Sequence, residues 1–147
     1  MYSKNIEIIS KRNKYMINAN AILYILMNAK NAEIHVSGGN VYYTRKPLHE
    51  FEVLLGDLFV KINRGCLVSA LAVHEVGETI ILVNGESLIY TLRKKKVIIQ
   101  QINKIQKSII NGYEKDGIPK TFEEYKEYYK SFEHMPFAFT DIEMVFN

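Results

Sequence analysis

A single cysteine, Cys66, is the only thiol in this chain of 147 residues. One thiol cannot close an internal disulfide, and a cysteine-rich zinc site is excluded with it. A chain without disulfides suits a reducing, cytoplasmic setting. No apolar stretch is long enough to span a bilayer, and the opening "MYSKNIEIISKRNK" lacks the apolar core of a signal peptide. No membrane partner and a cytoplasmic location are therefore expected. Internal repeats and low-complexity tracts are missing as well.

Catalytic constellations are equally scarce. The four histidines, His35, His49, His74 and His134, are scattered without metal-ligand spacing, and none pairs locally with a carboxylate in a useful register. His35 falls in an alternating stretch and His49 in a helical one, where packing or surface roles are the ordinary ones. Cys66 has no activating neighbour beyond Arg64 and reads as a small buried hydrophobe. The glycines of "SGG" lack the strand, loop and helix setting of a phosphate cradle, and there is no Walker motif. The expectation is of no enzyme, with no catalytic residue, no cofactor and no bound metal.

What is present points elsewhere. With 48% hydrophobic and 24% charged residues, the chain can bury a core of ordinary single-domain size. Its net charge of +3 conceals an asymmetry. Residues 1–111 carry fifteen Lys/Arg against eight Asp/Glu, while residues 112–147 carry four against eight. A basic body followed by an acidic tail suits a polyanionic partner for the body.

The hydrophobic pattern is mostly of period two. "AEIHV" and "VYYTR" flank "SGGN", so residues 32–45 read as a hairpin. "TIILV" and "SLIYTL" flank "NGE" and make a second hairpin about the Asn84-Gly85 turn. "CLVSALAVHEV" supplies one or two further strands. Between the hairpins, "KPLHEFEVLLGD" is the one short helix, with Pro47 in its first turn, Leu48, Phe51, Leu54 and Leu55 on one face, and Gly56 as the stop.

After Arg93 the period changes. Ile98, Ile102, Ile105 and Ile109 recur as the stripe of an amphipathic helix. A turn-rich connector, residues 111–120, leads to "TFEEYKEYYKSF". There Thr121 and Glu124 stand in capping-box register, and Phe122, Tyr125, Tyr129 and Phe132 share a side.

The most informative stretch is "LFVKINRGCLVSALAV", residues 58–73, where a polar turn interrupts the most apolar part of the chain. A second basic loop, "LRKKK" at residues 92–96, stands where strand gives way to helix. Arg presents a planar fork that grips guanine O6 and N7 together, whereas Lys is a point charge suited to phosphate. Three lysines at the positive end of a helix dipole are disfavoured by a few tenths of a kcal/mol each, about the scale of a surface charge there. An anionic partner would relieve that cost.

The order of "ILYI" (residues 22–25), "PLHEFEVLLGDLFVKINRGCLVS" (residues 47–69) and "GESLIYTLRKKK" (residues 85–96) resembles the LytTR DNA-binding domain of bacterial transcription regulators. The resemblance covers about residues 15–100, and the run from Phe59 to Ser69 is its most specific part. It implies a mainly β, elongated antiparallel fold that places loops in successive major grooves. Carried over position by position, it implies base contacts from Asn31, Asn63, Arg64 and Arg93. Phosphate contacts would come from Lys30, Lys61, Lys94, Lys95 and Lys96. The chain departs from the family pattern at Asn63, where His is usual, at Gly65 for Ser, at Cys66 for an aromatic and at Ser69 for Asn.

The expected organisation is a lead-in over residues 1–14, a LytTR-like domain over 15–100 and a helical, acidic and aromatic C-terminal extension over 101–147. No phospho-receiver domain is expected before it. The expected function is sequence-specific binding of double-stranded DNA as a stand-alone regulator. Paired direct repeats are the expected sites, with self-association or an upstream signalling protein as the further partner. The alternative is a protein-interaction module that works through the acidic extension.

Overall fold

A computed structural model of the chain describes residues 5–56 and 58–115. It opens with a hairpin of β1 (Asn5–Ser10) and β2 (Asn13–Asn18), paired from Asn5↔Asn18 to Ser10↔Asn13. Ile6, Ile8 and Ser10 point inward and their neighbours outward, the period of two that one-sided burial demands. The two residues of its turn, Lys11 and Arg12, have φ of 51° and 72°. This is left-handed backbone that Asn or Gly adopts more cheaply. Without either residue, the sequence carried no hairpin signal here.

A single 3-10 turn at Ala19–Ala21 leads into the main sheet; Asn18 caps it, its Oδ1 accepting from Asn20 N at 2.9 Å. The following elements are β3 (Ile22–Asn28), β4 (Asn31–Val36), β5 (Val41–Thr44), α1 (Leu48–Leu55), β6 (Phe59–Asn63) and β7 (Cys66–Ser69). Their sheet has the order β5-β4-β3-β7-β6 and every pairing is antiparallel. Ile22 to Ile25 of β3 and all of β7 are buried, which explains why these two read as continuous apolar runs rather than alternating ones. The expected hairpin of residues 32–45 is β4 and β5, with Gly38 and Gly39 both at φ 92° in its turn.

In α1, Leu48, Phe51 and Leu55 are buried, and Pro47 precedes the helix as its N-cap rather than standing inside the first turn. A second 3-10 turn, Ala70–Ala72, is capped by Ser69, whose Oγ accepts from Leu71 N at 3.3 Å. Three short strands follow, β8 (Val73–Val76), β9 (Ile80–Leu82) and β10 (Ser87–Leu88), forming a sheet of their own. Gly85, at φ 94°, makes the expected Asn84-Gly85 turn. Tyr24 ties this sheet to the large one: its hydroxyl donates to Glu86 Oε2 at 3.2 Å, and its ring stacks on His35 at 4.2 Å.

The strand expected over "SLIYTL" ends sooner, because Thr91 N donates to Ile62 O at 2.9 Å and draws the chain toward β6. A last 3-10 turn, Leu92–Lys94, runs directly into α2 (Lys95–Lys115). Ile98 and Ile102 are buried and Ile105 partly so. Gln106 Nε2 donates to the carbonyls of Ala70 and Val73, at 2.8 and 3.2 Å, and pins the helix to the body. Among the described residues no helix is long and apolar enough to cross a membrane. The side chain of Ile109, the Thr121 and Glu124 pair and the aromatic side of residues 121–132 lie outside the described residues.

Candidate nucleic-acid interface

The register of the five-stranded sheet gathers its polar turns at one end. Asn28 faces Asn31, Ala32 faces Thr44, and Leu26 and Asn63 each face Cys66. The turn after β3, the exit from β5 and the turn between β6 and β7 therefore share an edge. Lys30, Arg45 and Arg64 are carried there, all exposed.

The Arg64 turn is held on several sides. Asn63 Oδ1 accepts from Gly65 N at 2.9 Å, and Asn63 Nδ2 donates to Ile89 O at 2.7 Å. Gly65 O accepts from Met27 N at 2.8 Å. A rigid turn thus presents an Arg64 guanidinium that has no partner among the described residues. Asn63, expected to reach a base edge, is engaged at both ends of its amide within the chain. A Cβ at Gly65 would meet Met27 Cβ at 3.6 Å, an ordinary contact, so the backbone does not require glycine there.

Lys61, Asn63, Arg64, Arg93 and Lys94 line one cleft of about 940 Å³ between β6 and α2. Lys104 and Gln101 also line it. Among the described residues Glu52 is the one carboxylate on its wall, 4.0 Å from Lys61 with both side chains partly exposed. Such a pair is worth little and leaves the cleft strongly positive. Lys104 was not among the expected residues, although its helical spacing from Val97 and Gln101 on α2 is readable in the sequence.

Asn31 lies in a different cleft, also of about 940 Å³, with Lys11, Arg45 and Lys46. None of these three cations was singled out from the sequence. Lys30 stands on the turn between the clefts, and Lys95 and Lys96 are exposed on the first turn of α2, which has no acidic residue. Nearby, the Asn28 side chain donates to Glu33 Oε2 at 2.8 Å, and that hydrogen bond holds the Glu33 carboxyl below its ordinary value.

Among the described residues no catalytic grouping accompanies this surface. Cys66 is buried, and burial pushes its thiol up to about 12, so it is neutral at physiological pH. Among the described residues no three or more His, Cys, Asp or Glu side chains come together as a metal site would need.

A β framework that holds cationic turns at one sheet end, with a basic helix start beside them, is an arrangement that suits a polyanionic partner such as nucleic acid. The LytTr DNA-binding domain matches residues 12–108, and the chain belongs to that family. Among solved structures, the LytTr DNA-binding domain of a Bacillus cereus protein, described as a methyl-accepting/DNA response regulator, shares the fold at a TM-score of 0.56 and 15% identity. The alignment covers 72% of this chain and 98% of that one. No curated protein matches the chain in sequence.

Proposed function

We propose that this chain is a bacterial, cytoplasmic transcription regulator that recognises specific duplex sites through its loop-borne side chains. The observation that carries the reading is the gathering of Lys61, Arg64, Arg93, Lys94 and Lys104 about one cleft opposed by Glu52 alone among the described residues. Arg64 and Arg93 are the base readers, because a guanidinium fork matches guanine O6 and N7 in the major groove. Asn31 suits adenine, whose N6 and N7 present one donor and one acceptor to an amide. Lys30, Lys61, Lys94, Lys95 and Lys96 contact phosphates. Asn63 serves by holding the Arg64 turn, through its bonds to Gly65 N and Ile89 O.

Two copies on paired direct repeats would need half-sites separated by whole helical turns, multiples of about 10–10.5 bp. Self-association or an upstream signalling protein would then set when both sites are filled. Selection of bound sequences from random duplex DNA by the full chain tests the proposal. An enriched motif with repeats at that spacing is expected. Recovery of no motif, together with binding indifferent to salt, would refute it.

A further inference from the structure

We infer that the Lys11-Arg12 turn and Arg45 form a second, phosphate-gripping flank, on the β5 side of the sheet, which lengthens the DNA footprint beyond the base-reading loops. The inference rests on the DNA-binding reading above and extends it to residues outside the base-reading loops.

The β1–β2 turn is where this flank starts. Lys11 and Arg12 both occupy left-handed backbone, at φ 51° and 72°, in a two-residue turn closed by Ser10↔Asn13. Asn-Gly is the sequence such a turn prefers. A pair of cations held there against local preference is a conformational outlier of the kind that points to function. Neither side chain has a partner among the described residues, and both are exposed.

Position supplies the second argument. β1 packs beside β5, and Lys11 shares a cleft wall with Asn31 and Arg45. Arg45 leaves β5 at the sheet end that also carries Lys30 and Arg64. Cations therefore follow one another along that end, from Lys11 and Arg12 through Arg45 and Lys30 to Arg64 and then Arg93. Five strands at about 4.8 Å spacing place the outermost two about 19 Å apart. A duplex shows one phosphate charge per about 1.7 Å of axis, so such a ridge spans on the order of ten phosphates.

The carboxylates of the same cleft do not cancel this charge. Glu7 is taken by Lys14 at 3.2 Å, and Glu50 belongs to the first turn of α1, where the helix dipole favours an acid. The Lys46 ammonium stands over the Phe51 ring, 5.5 Å from its centroid, and is already engaged. Lys11, Arg12 and Arg45 are left as the cations of this flank with no partner among the described residues.

The test uses the full chain, a duplex enriched from random sequence by the wild type, and an unrelated duplex of equal length. The double variant Lys11→Asn, Arg12→Gly removes both charges while giving the turn its preferred residues, so loss of folding cannot mimic the effect. Arg45→Gln is measured beside it. For the double variant the slope of log K against log salt should fall by about 1.8, or about 0.9 for each phosphate that is no longer neutralised. Between 50 and 200 mM salt the wild type should then lose about tenfold more affinity than the variant. The change should be the same on both duplexes, with base preference intact. An unchanged slope in a folded variant overturns this flank while leaving the base-reading loops standing. A wild type that enriches no duplex from random sequence and does not bind the unrelated one overturns the function and this inference together.

Discussion

Asn63 reaches Ile89, 26 residues further along the chain, donating from Nδ2 to the backbone carbonyl at 2.7 Å. Its Oδ1 simultaneously accepts from Gly65 N at 2.9 Å. One amide thus fixes the turn that presents Arg64 and the strand end that leads to Arg93. With Thr91 N on Ile62 O at 2.9 Å, the two arginine-bearing segments become one rigid unit. Pre-organisation of this kind lowers the ordering cost of binding without touching the ligand.

Replacement of Asn63 separates positioning from reading. Asn63→Asp keeps the acceptor for Gly65 N but loses the donor to Ile89, and Asn63→Ala loses both. Each missing hydrogen bond should lower stability by about 0.5–1.5 kcal/mol, and the aspartate adds a repulsion by facing an acceptor to the Ile89 carbonyl, so both variants should be less stable than the wild type in denaturant titrations. DNA affinity should fall in both while the preferred sequence stays the same. A changed base preference would make Asn63 a reader instead.

Arg64→Ala should behave in the opposite way. Arg64 is exposed and without a partner among the described residues, so its removal should leave the thermal midpoint unchanged. Discrimination at one base pair should fall by about 1–3 kcal/mol. Lys94→Ala should instead weaken every sequence alike and lower the salt slope by about one. Parallel titrations on the selected site and on its single-base variants distinguish the two.

Legibility in the sequence followed the local physics. The hairpins at residues 32–45 and around Asn84-Gly85 were readable because alternation and turn residues agreed, and α1 because its apolar spacing ended at a glycine. Arg64 stood out as a polar interruption of an apolar run. The β1–β2 hairpin stayed hidden because Lys11 and Arg12 make a left-handed turn that their residue types disfavour. The partners of Asn63 and the nearness of Arg45 to Asn31 come from strand register and long-range packing, which no local pattern encodes. Lys104 was within reach, since it follows Val97 and Gln101 at helical spacing.

Gly65→Ser tests the departure from the family pattern. The added Cβ would stand at an ordinary distance from Met27, 3.6 Å from its Cβ, and Gly65 is not among the residues of positive φ. The substitution should be neutral or stabilising by up to about 1 kcal/mol, through the reduced freedom of the unfolded chain. A hydroxyl beside Arg64 adds a phosphate donor, so affinity should rise on all sequences by a similar factor. Lower affinity in a fully folded variant would show that the glycine makes room for the duplex.

Cys66 reports on the core beneath this turn. Burial raises the thiol from its ordinary 9.0 to about 12 in the folded state. The unfolded chain therefore ionises first as pH rises, and the native state binds the proton more tightly. The thiol's contribution to stability is whole below pH 9, falls between 9 and about 12, and approaches a slope of about 1.4 kcal/mol per pH unit within that window. Tyr24, raised by burial and by the neighbouring Glu86 carboxylate, acts in the same direction. A Cys66→Ala variant retains Tyr24, so the difference between the two proteins isolates the thiol. Any advantage of the wild type over this variant in guanidinium midpoints should shrink as pH is raised from 8 toward 10.5. Curves that stay parallel would mean that the Cys66 thiol ionises equally in both states, and that the β6–β7 turn admits water to its core.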